Sequence, residues 1–290
     1  MTVENTATTF DVTMEGKVAH LQLNRPDTYN AMTREFWSEL PAAVRALDED
    51  GSVRAIVISS TGKHFCAGMD LAVFTGGGGG ALGGPSADGS RAEEGRVRAR
   101  LRQSVRVLQD SFTALEQARV PVIAAIQGGC IGGAVDMVSA CDLRYASADA
   151  FFCVQEINIG MTADVGTLQR LPKLIPYGVA LEWAYRGHRV PAARAAEVGL
   201  VNQVFDDHDA VVAGALEIAQ EIASKSPLAI WGTKEMARYT RDHTVSDALD
   251  HMASWQSGMF QPADMIETFV AKGESRDPAF PDLLPNSTGL

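Results

Sequence analysis

The sequence predicts an α/β core followed by a helical region. Three observations carry this. Apolar strand-like runs occur at 18–24, 54–60 and 120–126; helical apolar stripes lie between them; and the last eighty or so residues carry helical patterns only. Residues 1–205 are expected to form the core and 206–290 the helical C-terminal region.

Val18-Ala-His-Leu-Gln-Leu-Asn24 alternates apolar and polar residues and runs into the turn Asn24-Arg-Pro-Asp27, so a strand is expected there. Thr33 is the expected N-cap of a helix whose apolar stripe is Phe36, Leu40, Val44 and Leu47. Residues 54–60 form a continuous apolar strand that feeds the loop 61–70, TGKHFCAGMD. The run 76–90, GGGGGALGGPSADGS, lacks the side chains to build a packed wall and reads as a surface loop without chemistry. From Arg91 to Arg119 a long helix is expected, with Leu101, Val105, Leu108, Phe112 and Leu115 along one side. The strand 120–126 ends in Gln127-Gly-Gly-Cys-Ile-Gly-Gly133, which a helix over 134–140 follows. Strands at 142–146 and 151–154 precede the stretch from Gln155 to Pro172, and helices follow, broken near Pro191 and Pro227.

The chain has 290 residues, 46% apolar and 21% charged, enough for a large core. Its formal charge of −11 opposes a general affinity for nucleic acid or an anionic membrane, while a few local donors can still hold a small anion. Cys66, Cys130, Cys141 and Cys153 form no CxxC pair, which points to reduced thiols inside a cell. The start MTVENTATTF has neither a basic nor a long apolar segment, and the end STGL is not a peroxisomal signal, so a cytoplasmic location is expected. No stretch approaches the roughly eighteen apolar residues of a membrane span.

Gly128-Gly-Cys-Ile-Gly-Gly133 lacks the GxGxxG register, and no acid ends a strand about twenty residues on, which argues against a dinucleotide site. A glycine turn between a strand and a helix instead leaves free backbone N–H groups where the helix dipole favours negative charge. Such donors suit a developing oxyanion. The six histidines show no metal-binding spacing, no metal or other cofactor is expected, and there is no GxSxG elbow. Three acids remain: Asp136 in the first turn of the helix after the glycines, and Glu156 and Asp164 among apolar residues and glycines. Asp136 is equally readable as a complement to the helix dipole, and Asp164 as a cap for a helix starting near Val165. Spacing leaves both readings open.

Together these segments resemble the crotonase, or enoyl-CoA hydratase/isomerase, superfamily over nearly the whole chain. The marks are Asn24-Arg-Pro with Asn30-Ala, Phe65-Cys-Ala-Gly-Met-Asp70, Ala125 to Gly133, Ala140-Cys-Asp142, Gln155-Glu-Ile157, Gln169 to Pro172, Ala195 to Val201 and Ser224 to Pro227. The resemblance implies a crotonase-like spiral of ββα units, a helical C-terminal region used in a homotrimer or homohexamer, and an acyl-CoA thioester as substrate. Its oxyanion hole falls on the backbone N–H groups of Met69 and Gly133. The resemblance also assigns Ala67, Gly68, Met69, Asp70 and Leu71 to the coenzyme A channel, with Arg25 and Lys63 as candidates for its phosphates.

Family hydratases carry glutamates at the positions of Asp136 and Glu156, and glycine at that of Asp164. The trio in this sequence is similar instead to the Δ3,5-Δ2,4-dienoyl-CoA isomerase subgroup, as are Trp255 and the run Arg241–Asp250. The resemblance implies that Glu156 takes a proton from C2, that Asp164 gives one to C6, and that Asp136 hydrogen-bonds or electrostatically tunes Glu156. Enoyl-CoA hydration, Δ3-Δ2-enoyl-CoA isomerisation and acyl-CoA binding without catalysis are the alternatives.

Overall fold

The computed structural model describes residues 7–70, 72–75 and 94–286. Leu71 and the glycine-rich run 76–90 lie outside the described residues.

The strands in chain order are β1 (Phe10–Glu15), β2 (Val18–Leu23), β3 (Ala55–Ser60), β4 (Val122–Ile126), β5 (Gly129–Ile131), β6 (Leu143–Ser147), β7 (Phe151–Cys153), β8 (Val190–Pro191) and β9 (Gln203–Phe205). One sheet runs β1-β2-β3-β4-β6-β9, antiparallel only between β1 and β2, and a smaller sheet runs β5-β7-β8. β3 and β4 are buried along their whole length, which is what parallel strands covered on both faces require.

The helices are α1 (Phe36–Asp50), the short α2 (Ala72–Thr75), α3 (Glu94–Gln117), α4 (Gly133–Ala140), α5 (Thr167–Leu174), α6 (Tyr177–Arg186), α7 (Ala192–Glu197), α8 (His208–Ala223), α9 (Pro227–Asp242), α10 (Val245–Met259) and α11 (Pro262–Gly273). The expected stripe of α1 is buried at Phe36, Leu40, Val44 and Leu47, but Thr33 is not its cap. The chain is already turned at Glu35, whose carbonyl accepts from the N–H groups of Ser38 (3.0 Å) and Glu39 (2.9 Å). Pro41 inside α1 has no N–H to give the Trp37 carbonyl. That carbonyl accepts the Ser111 hydroxyl of α3 at 2.8 Å instead, so the proline opens a tie between two helices. The stripe of α3 holds for Phe112 and Leu115, whereas Leu101 is exposed, because the tie to α1 is made at Ser111 and Phe112.

The core fills both faces of the larger sheet. On one side Leu21, Ile56, Ile58 and Ala124 pack with α1, α3 and α4. On the other, Val211, Ala215 and Ala219 of α8 cover Val57, Ile123 and Ala125. Helix α8 therefore shares the sheet's core although it lies beyond residue 206. Helices α8, α9 and α10 start at side-chain caps from Asp207, Ser226 and Thr244. The segment after α11 is tied back by the Arg54 guanidinium to Asp282 at 2.9 Å and by Arg119 to the Leu284 carbonyl at 3.0 Å.

Candidate active site

Two loops leave the carboxyl ends of β3 and β4, where ligands of parallel sheets gather. A short ladder fixes one against the other: Phe65 N–H donates to the Gln127 carbonyl at 2.8 Å, Cys66 to Gly129 at 3.1 Å, and Ile131 back to Cys66 at 3.1 Å. Asn30 braces the same region, accepting from the Arg25 N–H and donating to the Thr61 and His64 carbonyls. The Asn30 side chain thus holds these loops together.

Met32 donates to the Gly68 carbonyl at 2.8 Å and accepts from Asp70 at 3.0 Å, so the intervening Met69 N–H is turned away from this bridge. Gly132, at φ +54 and ψ −122, turns the chain from β5 into α4 and leaves the Gly133 N–H at the helix start. That backbone conformation is open to glycine alone. Gly68, at φ +85, has room for no side chain, since a Cβ would meet the Ile131 carbonyl at 2.7 Å. The same Cβ would lie 3.3 Å from the Gly133 nitrogen, and one on Gly133 would lie 3.8 Å from the Met69 nitrogen. The two amides therefore approach each other. Among the described residues neither has a backbone acceptor, the state an oxyanion hole needs before its ligand arrives.

These amides open on a cavity of about 660 Å³, whose lining includes Trp37, Met69, Gly133, Glu156, Met161 and Asp164. Recesses of about 740 and 770 Å³ elsewhere lie against the C-terminal segment and helices α9 to α11, and reach neither the glycine turns nor the acids. Glu156 opens a 3-10 turn over 156–159 directly after β7, and Gly132 leaves it room: a Cβ there would stand 3.3 Å from Glu156 Oε1. Its Oε2 is buried and has no hydrogen-bond donor among the described residues. Burial first, then the charges of Asp136 and Asp164, push its pKa up to about 7. Burial also raises that of Asp164, which is half-buried. No helix cap is involved, because α5 starts at Thr167 and Gly166 holds the cap position.

Asp136 behaves differently. It is fully buried and is not among the residues lining the cavity. Its Oδ1 accepts the Thr167 N–H at 2.5 Å, and no hydrogen bond joins it to Glu156. Of the two expected couplings to Glu156, the electrostatic one is therefore present and the hydrogen bond is not, and Asp136 also holds the start of α5. Burial raises the Asp136 carboxyl to about 6, against the pull of the Thr167 hydrogen bond.

Of the residues assigned to the coenzyme A channel, Ala67, Gly68, Met69 and Asp70 line the cavity. Asp70 also accepts the Ala72 N–H at 2.9 Å. Arg25 and Lys63 do not line it: the Arg25 guanidinium donates to the Ala31 carbonyl at 2.9 Å, and Lys63 is exposed. Among the described residues the cation that lines the cavity is Arg189, whose guanidinium lies 4.5 Å from the Phe151 ring centre. Nothing in the local sequence marks Arg189, since it is brought in by the pairing of β8 with β7.

A family model described as enoyl-CoA hydratase/isomerase matches residues 13–283. The chain belongs to the enoyl-CoA hydratase/isomerase family. Among its relatives, the mitochondrial Delta(3,5)-Delta(2,4)-dienoyl-CoA isomerase of Mus musculus is 44% identical over 90% of this chain and 77% of its own. The peroxisomal enzyme of the same name from Arabidopsis thaliana is 40% identical over 93% of this chain and 94% of its own. Solved family structures share the architecture. Enoyl-CoA hydratase from Bacillus anthracis superposes with a TM-score of 0.81 at 29% identity, covering 94% of this chain and 98% of that one. That from Mycobacterium tuberculosis H37Rv gives 0.78 at 27% identity, covering 94% and 98%. The crotonase-like fold expected from the sequence is the fold observed, helical C-terminal region included.

Proposed function

We propose that this family member is a Δ3,5-Δ2,4-dienoyl-CoA isomerase acting in the degradation of unsaturated fatty acids. The observation that carries the reading is that Glu156 and Asp164 line one cavity together with the two free amides. The relatives named for this activity, at 40% identity and above, support it.

The thioester oxygen accepts from Met69 and Gly133, which makes the C2 proton acidic by stabilising the enolate formed when it leaves. Ionised Glu156 takes that proton, and the electron pair spreads along the diene as a trienolate. Protonated Asp164 delivers its own proton to C6, and the double bonds come to rest at C2 and C4. Glu156 ends protonated and Asp164 ionised, so proton exchange with water restores both. A pKa near 7 lets Glu156 serve as a base at neutral pH without being fully protonated there. The acyl chain covers Asp164 as it enters, which favours the protonated form that the donor needs.

The test offers the purified protein 3,5-dienoyl-CoA and 2-enoyl-CoA separately. The expected result is growth of the 2,4-diene absorbance with the first and little loss of enoyl absorbance with the second. Asp164→Asn is expected to slow isomerisation by about a hundredfold or more while still exchanging C2 hydrogen in heavy water. Hydration of 2-enoyl-CoA as the main activity, or undiminished isomerisation by Asp164→Asn, would overturn the reading. No turnover of either substrate would favour acyl-CoA binding without catalysis.

The C-terminal helices leave Val245, Leu249, Ile266 and Phe269 exposed, which supports the homotrimer or homohexamer implied by the family resemblance. A monomeric mass in solution would remove that assignment. The four cysteines are free and buried, in keeping with a reducing compartment. We place the protein in the cytoplasm on that basis, although the relatives compared above carry mitochondrial and peroxisomal names.

A further inference from the structure

Asp164 has to deliver a proton to one carbon of a long substrate, yet among the described residues no side chain of another residue holds its carboxyl. Its aim therefore rests on how its backbone is held. Ala163 and Val165 on either side are buried, and the segment continues through Gly166 into α5. At its cavity end, two side chains from other helices bond to its backbone. Asp136 of α4 accepts the Thr167 N–H, and Gln109 Nε2 of α3 donates to the Asp164 carbonyl itself at 2.7 Å.

Gln109 is part of a polar line on α3. Residues three or four apart stand on one helix face, and Gln109, Thr113 and Glu116 have that spacing. All three meet the 164–170 segment: Thr113 Oγ1 accepts from Arg170 Nη2 at 3.3 Å, and Glu116 from the same group at 3.0 Å. Arg170 and Glu116 are nearly buried, so their ion pair anchors the far end of the segment. Gln109 is the contact at the cavity end.

We infer that Gln109 is a positioning residue for Asp164, fixing through the backbone carbonyl where the C6 proton donor stands. The inference rests on the dienoyl-CoA isomerase reading. It gives Gln109 no part in the C2 step, which uses Glu156 and the two amides on separate supports. Loss of the Gln109 hydrogen bond therefore separates the two half-reactions. Proton removal at C2 continues, and delivery at C6 suffers from misplacement of the donor.

The experiment compares wild type, Gln109→Leu and Gln109→Glu with 3,5-dienoyl-CoA in heavy water. It follows deuterium entering C2 of recovered substrate, and diene formation in the same sample. The ratio of the two rates does not depend on how much of the variant is folded. For Gln109→Leu the ratio of isomerisation to exchange is expected to fall by about tenfold or more, with exchange within about twofold of wild type. Gln109→Glu keeps the size but sets an acceptor against the Asp164 carbonyl, and is expected to lower the ratio at least as far. An unchanged ratio in both variants, whether or not the absolute rates fall, would overturn the assignment. Failure of the parent reading looks different. In that case wild type does not isomerise the substrate, or Asp164→Asn isomerises as well as wild type.

Discussion

The two sides of the site are built in different ways. The amide side is made of backbone: Met69 and Gly133 sit on loops laddered to each other at the ends of parallel strands, and their directions follow from Gly68 and Gly132. The carboxylate side is made of side chains on a 3-10 turn and on the approach to α5, the latter held by side-chain contacts from α3 and α4. On the proposed mechanism the amide side stabilises the charge that any acyl thioester develops on its oxygen, and the carboxylate side decides which protons move. Generality therefore rests on backbone, and specificity on a few side chains with separate supports.

The sharpest break comes on the carboxylate side. Glu156→Gln is expected to lower isomerisation by about a thousandfold or more and to abolish C2 exchange, measured as deuterium uptake. The same variant tests the electrostatics. The Glu156 pKa is raised from an ordinary 4.5 to about 7, so the folded chain holds its proton longer than the unfolded one. The stability tied to that proton is complete below about 4.5 and is lost as pH rises to about 7. Glu156→Gln should thus be more stable than wild type at pH 8, by about 1–2 kcal/mol in denaturant melts, and lose this advantage towards pH 4.

A break on the amide side should leave a different signature. Gly132→Ala forces a Cβ into a backbone conformation suited to glycine and crowds Glu156 Oε1. Exchange and isomerisation are expected to fall together, by about tenfold to a hundredfold, because both proceed through the same oxyanion. Equal loss here and selective loss in Asp164→Asn would establish the division. The smallest effect belongs to Asp136→Asn. Removing its charge lowers the Glu156 pKa, so the acid limb of the kcat/KM profile moves below about 7, while the maximal rate changes by less than about tenfold. An unmoved limb would mean that the Asp136 charge has no part in the basicity of Glu156.

Much of this was legible from residues in order. The strands around Leu21, Val57 and Ala124 follow from apolar runs, and the oxyanion turn follows from glycines between a strand and a helix. The paired roles of Glu156 and Asp164 came through family resemblance, because spacing alone left them as surface acids or a cap. Arg189, Gln109 and the Thr167 bond of Asp136 were not readable. Each depends on a contact between segments far apart in the chain, and a lone Arg, Gln or Thr carries no local pattern. Where Arg25 and Lys63 turn was not readable either: a positive charge nearby in sequence does not say whether its side chain faces the cavity, and neither of the two lines it.

The hydrogen bond from the Gly132 N–H to the Cys153 carbonyl, at 2.9 Å, joins the strand that ends in the oxyanion turn to the strand that ends in Glu156. On the proposed mechanism it serves as the fixed jaw of a caliper set against the first two carbons of the thioester. Asp164 is the movable jaw. On the proposed reading the span between the jaws is set by contacts from α3 and α4 and not by the sheet, so moving the second acid along the chain would change the acyl chemistry and leave the sheet untouched.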